Sequence, residues 1–114
     1  MNKSVAGYHM LMILSQVDGH FDKKEEKIIA SFIKSEFNFI NELDSEIVFL
    51  NELKYTDFST HFYKAMDEFY KNSTLEERNS FLNFAMKLVK ADMNISRNEN
   101  IYLTELFNAW ENQE

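Results

Sequence analysis

A chain of 114 residues with 11 phenylalanines, no proline and only two glycines is long enough to bury about two-thirds of the surface its unfolded form exposes, and it carries few helix breakers. The absence of cysteine removes disulfides, thiolate metal sites and thiol nucleophiles together, and it fits a reducing compartment. A net charge of −7 argues against a phosphate-tracking surface, so nucleic acid is not an expected partner.

Residues 4–17 carry Val5, Tyr8, Leu11, Met12, Leu14 and Val17, with Met10 and Ile13 filling in, so apolar groups occupy most of the circumference of a helix buried on several sides. The continuous apolar run, Met10 to Leu14, is too short to cross a membrane and is not followed by the small-residue cleavage site of a signal peptide. Membrane insertion is therefore not expected. Asp18-Gly19 ends this helix, and Asp22 caps the next, with Glu25 three residues on completing a capping-box pattern. Ile28, Ile29, Phe32, Ile33 and Phe37 follow at helical spacing.

From Phe39 to Leu53 the positions Ile40, Leu43, Ile47 and Leu50 repeat with a helical period, and Asp44-Ser45 offers an alternative start for a shorter helix. Six acidic residues, Glu36, Glu42, Asp44, Glu46, Glu52 and Asp57, stand here against the single Lys54. The plain reading is a solvated helical face, the sharper one a partner-facing acidic surface. Tyr55 to Asp57 forms a corner. Phe58, Phe62, Ala65, Met66 and Phe69 define one face of the following helix, which stops at Asn72-Ser73-Thr74. Ser73 with Glu76, or Thr74 with Glu77, starts another helix with the stripe Phe81, Leu82, Ala85, Leu88 and Val89. A last helix carries Leu103, Leu106, Phe107 and Trp110, with Ser96 and Glu99 as its capping box. Tyr102 and Trp110 would mark a contact patch if both are exposed.

The corner Asp18 to Glu25 returns at an offset of 74 residues as Asp92 to Glu99, with Met12 meeting Met86, Leu14 meeting Leu88, Phe21 meeting Ile95 and Ile29 meeting Leu103. No segment alternates in the manner of a strand. The expected fold is all-α, one domain over residues 1–114, with five to six helices in an orthogonal bundle built on a duplicated helix-corner-helix unit about an approximate twofold axis.

Each corner has the glutamate of a calcium-binding EF-hand loop, but the two upstream carboxylate positions are Leu14 and Gln16 in the first copy and Leu88 and Lys90 in the second, so neither is an EF-hand. A different arrangement survives. If the corners meet, Asp18, Asp22, Glu25, Asp92 and Glu99 form an all-oxygen cluster suited to a hard cation such as Ca²⁺, Mg²⁺ or Mn²⁺. The plainer account has these carboxylates capping helix N-termini and nothing more. The three histidines, His9, His20 and His61, fall in no metal-ligand spacing and read as packed or exposed polar residues. No phosphate-binding glycine loop or nucleophile elbow occurs.

Val17-Asp18-Gly19-His20-Phe21-Asp22-Lys23-Lys24-Glu25-Glu26 and Ala91-Asp92-Met93-Asn94-Ile95-Ser96-Arg97-Asn98-Glu99 resemble the repeated pattern of the TerB-like family, helical domains related to a tellurite-resistance protein and to the N-terminal region of a membrane-anchored co-chaperone. The resemblance implies a cytoplasmic, non-catalytic helical domain tied to stress response or membrane-associated assemblies, working through a protein partner and leaving a homodimer open. It carries a divalent-metal idea onto Asp18, Asp92, Glu25 and Glu99. Met93 replaces the second glycine, and Ser96 and Asn100 stand where the first copy has Asp22 and Glu26, so the second corner offers fewer carboxylates. The alternative function is a metal-dependent hydrolase using the same cluster, although Arg78 and Arg97 are the only arginines available to hold a phosphate ester.

Overall fold

The computed structural model describes residues 1–16, 20–39, 43–91 and 101–111. Six α-helices are formed among the described residues: α1 (Lys3–Ser15), α2 (Lys23–Glu36), α3 (Asp44–Glu52), α4 (Phe58–Asn72), α5 (Leu75–Ala91) and α6 (Ile101–Glu111), with a single 3-10 turn at Tyr55–Asp57 before α4. No strand occurs among these residues. The all-α bundle expected from the helical periodicity is what the chain forms.

α1 is the helix the others enclose. Asn2 starts it by accepting the Val5 N–H at 2.9 Å, and every residue from Ala6 to Ser15 is buried. A helix apolar on all sides can be satisfied only in the middle of a bundle, and α4 and α2 supply most of its cover. Gly7 makes the packing close: a Cβ built there would lie 3.1 Å from Ile33 Cδ1, 3.2 Å from Phe81 Cε2 and 3.3 Å from Phe69 Cε2. The face of α4 named by its spacing, Phe58, Phe62, Ala65, Met66 and Phe69, is buried in full. Phe69 then stacks on Trp110 of α6, with ring centroids 5.4 Å apart, and lies 4.8 Å from Phe81 of α5.

The caps explain where the helices begin and end. Asp22 Oδ1 accepts the N–H groups of Lys24 and Glu25 at 2.7 and 3.2 Å. Of the two capping boxes open at the start of α5, the chain forms the Thr74 one, with the Thr74 N–H donating to Glu77 Oε1 at 2.9 Å and the Glu77 N–H donating to Thr74 Oγ1 at 3.2 Å. α2 ends on Asn38, whose φ of 52° is the left-handed conformation, while the Phe39 N–H reaches back to the Lys34 carbonyl at 3.1 Å. Of the two starts open for the next helix, α3 takes the shorter one, at Asp44. The expected Ser96–Glu99 box and the Asp18-Gly19 stop lie outside the described residues.

Part of the duplication is visible as contact between equivalent positions. Lys3 forms an ion pair with Glu77, and Gly7 faces Phe81; both pairs are separated by the same 74 residues as the two corners. The two copies are not equally buried. α1 is enclosed, whereas Asn79, Asn83, Lys87 and Lys90 of α5 face solvent, because α4 covers α1 on the side that α5 leaves open.

Candidate functional site

Two adjacent residues of α1, Tyr8 and His9, bring polar tips into the core, and each tip is tied to a different neighbouring helix. The Tyr8 hydroxyl donates to Glu26 Oε2 of α2 at 2.9 Å. His9, only 3% exposed, uses both ring nitrogens: Nε2 lies 2.8 Å from Glu46 Oε1 of α3, and Nδ1 lies 2.6 Å from Nε2 of His61 on α4. Phe49 of α3 lids the group, stacking on His9 at 5.5 Å between centroids and packing on His61 at 5.2 Å. A polar atom buried without a partner costs about 1–3 kcal/mol, and here the tethers satisfy it.

The geometry fixes the protons. A carboxylate only accepts, so His9 Nε2 carries the hydrogen given to Glu46. In a neutral pair, His9 Nδ1 then accepts the Nε2 hydrogen of His61. Burial opposes the charged form of both rings. His9 is held below the ordinary histidine value because its desolvation outweighs the attraction of Glu46, and His61 is pushed down to about 4 by burial first and by the neighbouring His9 and Lys64 charges after it. The Tyr8 phenol is pushed up, by burial and then by its bond to Glu26, so it remains a proton donor.

This arrangement is a relay and not a ligand set, because Glu46 and His61 bind opposite edges of one imidazole and cannot share a metal with it. Among the described residues no three His, Cys, Asp or Glu side chains converge in a way that could hold an ion.

The sequence pattern left this relay unseen. His9 and His61 are 52 residues apart and match no motif, and Glu46 belongs to the acidic run read as a solvated face. That reading is corrected at Glu46, which turns inward to His9 because the buried imidazole needs an acceptor, and two of the three histidines, His9 and His61, are joined as one pair. The available signal was His9 itself, a titratable group on a helix with no polar face to carry it. His20 is exposed.

Of the five candidate cation ligands, Asp22 and Glu25 sit at the start of α2, where one Asp22 oxygen is engaged in capping. Asp18, Asp92 and Glu99 lie outside the described residues. The set is all oxygen, which fits a hard divalent cation by donor chemistry. At Asp22 a cleft of about 370 Å³ opens between α2 and α3, lined by Phe21, Asp22, Lys23, Glu26, Lys27, Ile47 and Asn51. The patch suggested at Tyr102 and Trp110 does not form: Trp110 is 5% exposed, stacked on Phe69, and Tyr102 is half-buried against Phe62.

None of the described helices is long and apolar enough to cross a membrane. No curated protein and no solved structure gave a match to the chain. The family profile described as tellurite resistance protein TerB matches residues 4–111, nearly the whole chain. On that match, over a bundle whose helices follow the duplicated pattern, the chain belongs to the TerB family.

Proposed function

We propose that this chain is a non-catalytic cytoplasmic interaction module of the TerB type, linked to tellurite resistance and the stress response, which presents a partner-binding cleft beside a cation site shared by its two corners. The observation that carries the reading is the repetition of the Asp-to-Glu corner, 18–25 and 92–99, in a chain matched by the TerB profile over residues 4–111. Asp18, Asp22, Glu25, Asp92 and Glu99 would hold one Ca²⁺, Mg²⁺ or Mn²⁺, a neutralisation that lets like-charged corners approach.

The contact surface in this reading is the cleft between α2 and α3. Phe21 and Ile47 give it an apolar floor and Asp22, Lys23, Glu26 and Lys27 a charged rim, the mixture that suits a protein surface better than a lipid one. Val48 and Phe49, on the same short helix, are 55% and 44% exposed. The test is affinity capture from the native cell with the wild-type chain and with Ile47→Lys. The reading expects a partner retained by the first and lost by the second. A persistent failure to retain any partner under either divalent-replete or chelated conditions counts against it.

A further inference from the structure

The relay between His9, His61 and Glu46 includes none of the five candidate cation ligands and has no part in the cation reading. We propose that it is a proton-operated latch, which holds α3 against the α1–α4 pair while the two imidazoles share at most one extra proton and releases it when they take up a second.

The hydrogen count requires this. In the neutral pair His9 Nε2–H donates to Glu46 and His61 Nε2–H donates to His9 Nδ1. One added proton leaves the chain intact: it enters on the outer nitrogen of His61, and the inner hydrogen passes to His9 Nδ1, which now donates to His61 Nε2. His9 is then a cation facing the Glu46 carboxylate. A second proton gives four N–H groups and no acceptor between the rings, so two cations with nitrogens 2.6 Å apart must separate. His61 is the entry point, since it is half-exposed while His9 is sealed.

α3 is the element that yields. It spans nine residues, and Leu50 is the one within it that is buried outright; Ile47 packs partly buried against the core, and Glu46 and Phe49 make their contacts on the imidazoles. A helix that short does not persist without its packing. α1 and α4, by contrast, share the core built on Phe58, Phe62, Ala65, Met66 and Phe69. Among the described residues, the charged groups bearing on the pair are Glu46 from α3, which favours proton uptake, and the N-terminal amine ahead of α1 and Lys64 of α4, which oppose it. From α3 Asp44 also bears on the neighbouring Tyr8, and from α2 Glu26 is held by the Tyr8 hydroxyl. The balance places release on the acid side of neutrality.

The test is amide hydrogen exchange followed by NMR on the full chain from about pH 7.5 to about pH 4.5, corrected for the intrinsic pH dependence of exchange. Protection across Asp44–Glu52 should fall by about tenfold or more while amides of Phe62 to Phe69 stay protected. In His61→Gln the fall should vanish, and in Glu46→Gln, which keeps an acceptor but loses the charge, it should move to lower pH. The latch is overturned if α3 protection is flat in the wild type, if it falls equally in His61→Gln, or if α3 and α4 lose protection together.

Discussion

His9 Nδ1 on α1 and His61 Nε2 on α4 lie 2.6 Å apart, and the contact makes folding sensitive to pH in a stated direction. His61 is pushed from 6.5 down to about 4 in the folded chain. The unfolded state therefore binds the proton more readily, and the stability involved is complete above about pH 6.5 and is lost as pH falls toward 4. After discounting for solvent screening at a half-exposed ring, we expect a loss of roughly 1–2 kcal/mol across that window. Urea unfolding at both ends of the window measures it, and His61→Gln should remove most of the difference between them.

Gly7 sets how closely α1 approaches its neighbours. Gly7→Ala gains about 1 kcal/mol of helix propensity, but its Cβ meets Ile33, Phe81 and Phe69 at 3.1 to 3.3 Å, and overpacking of this kind costs about 1–3 kcal/mol. Phe69 and Phe81 are braced against each other and against Trp110, so they have little room to move. We expect a net destabilisation of about 1 kcal/mol, and a larger one for Gly7→Val, read as a shift in the urea midpoint at constant slope.

Thr74 and Glu77 satisfy each other's backbone N–H groups at the head of α5, and Glu77 also takes the ion pair from Lys3. Thr74→Ala should cost about 1 kcal/mol. Glu77→Gln, which keeps the capping acceptor but drops the charge, should cost less than Thr74→Ala. If Glu77→Gln costs more, the ion pair between the register-equivalent positions and not the cap holds this end of the bundle.

Local chemistry was legible wherever it depended on spacing. The α4 stripe, the Asp22 cap and the Thr74 box follow from residues three or four apart, and each forms as its spacing dictates. The start of α3 was ambiguous because Phe39 and Asp44 both open onto the same apolar period, Leu43, Ile47 and Leu50; the end of α2 rests on Asn38 in a left-handed turn, a conformation asparagine tolerates without advertising it. The relay was illegible for a different reason. Its members come from three helices, and nothing in the neighbourhood of Glu46 or His61 distinguishes them from surface residues until α1 is placed between α3 and α4. Trp110 shows the converse: eight residues from Tyr102 on one helix, it is buried by Phe69 and Phe81, which belong to other elements.

The account of function turns on whether the two corners act as one site. Calorimetric titration of metal-free protein with Ca²⁺, Mg²⁺ and Mn²⁺ tests it most directly, repeated on Asp18→Asn and Asp92→Asn. One cation per chain, with binding weakened about tenfold or more by either substitution alone, is the expected result. No binding by any of the three cations, or binding lost in one variant and untouched in the other, contradicts a cation shared between the corners.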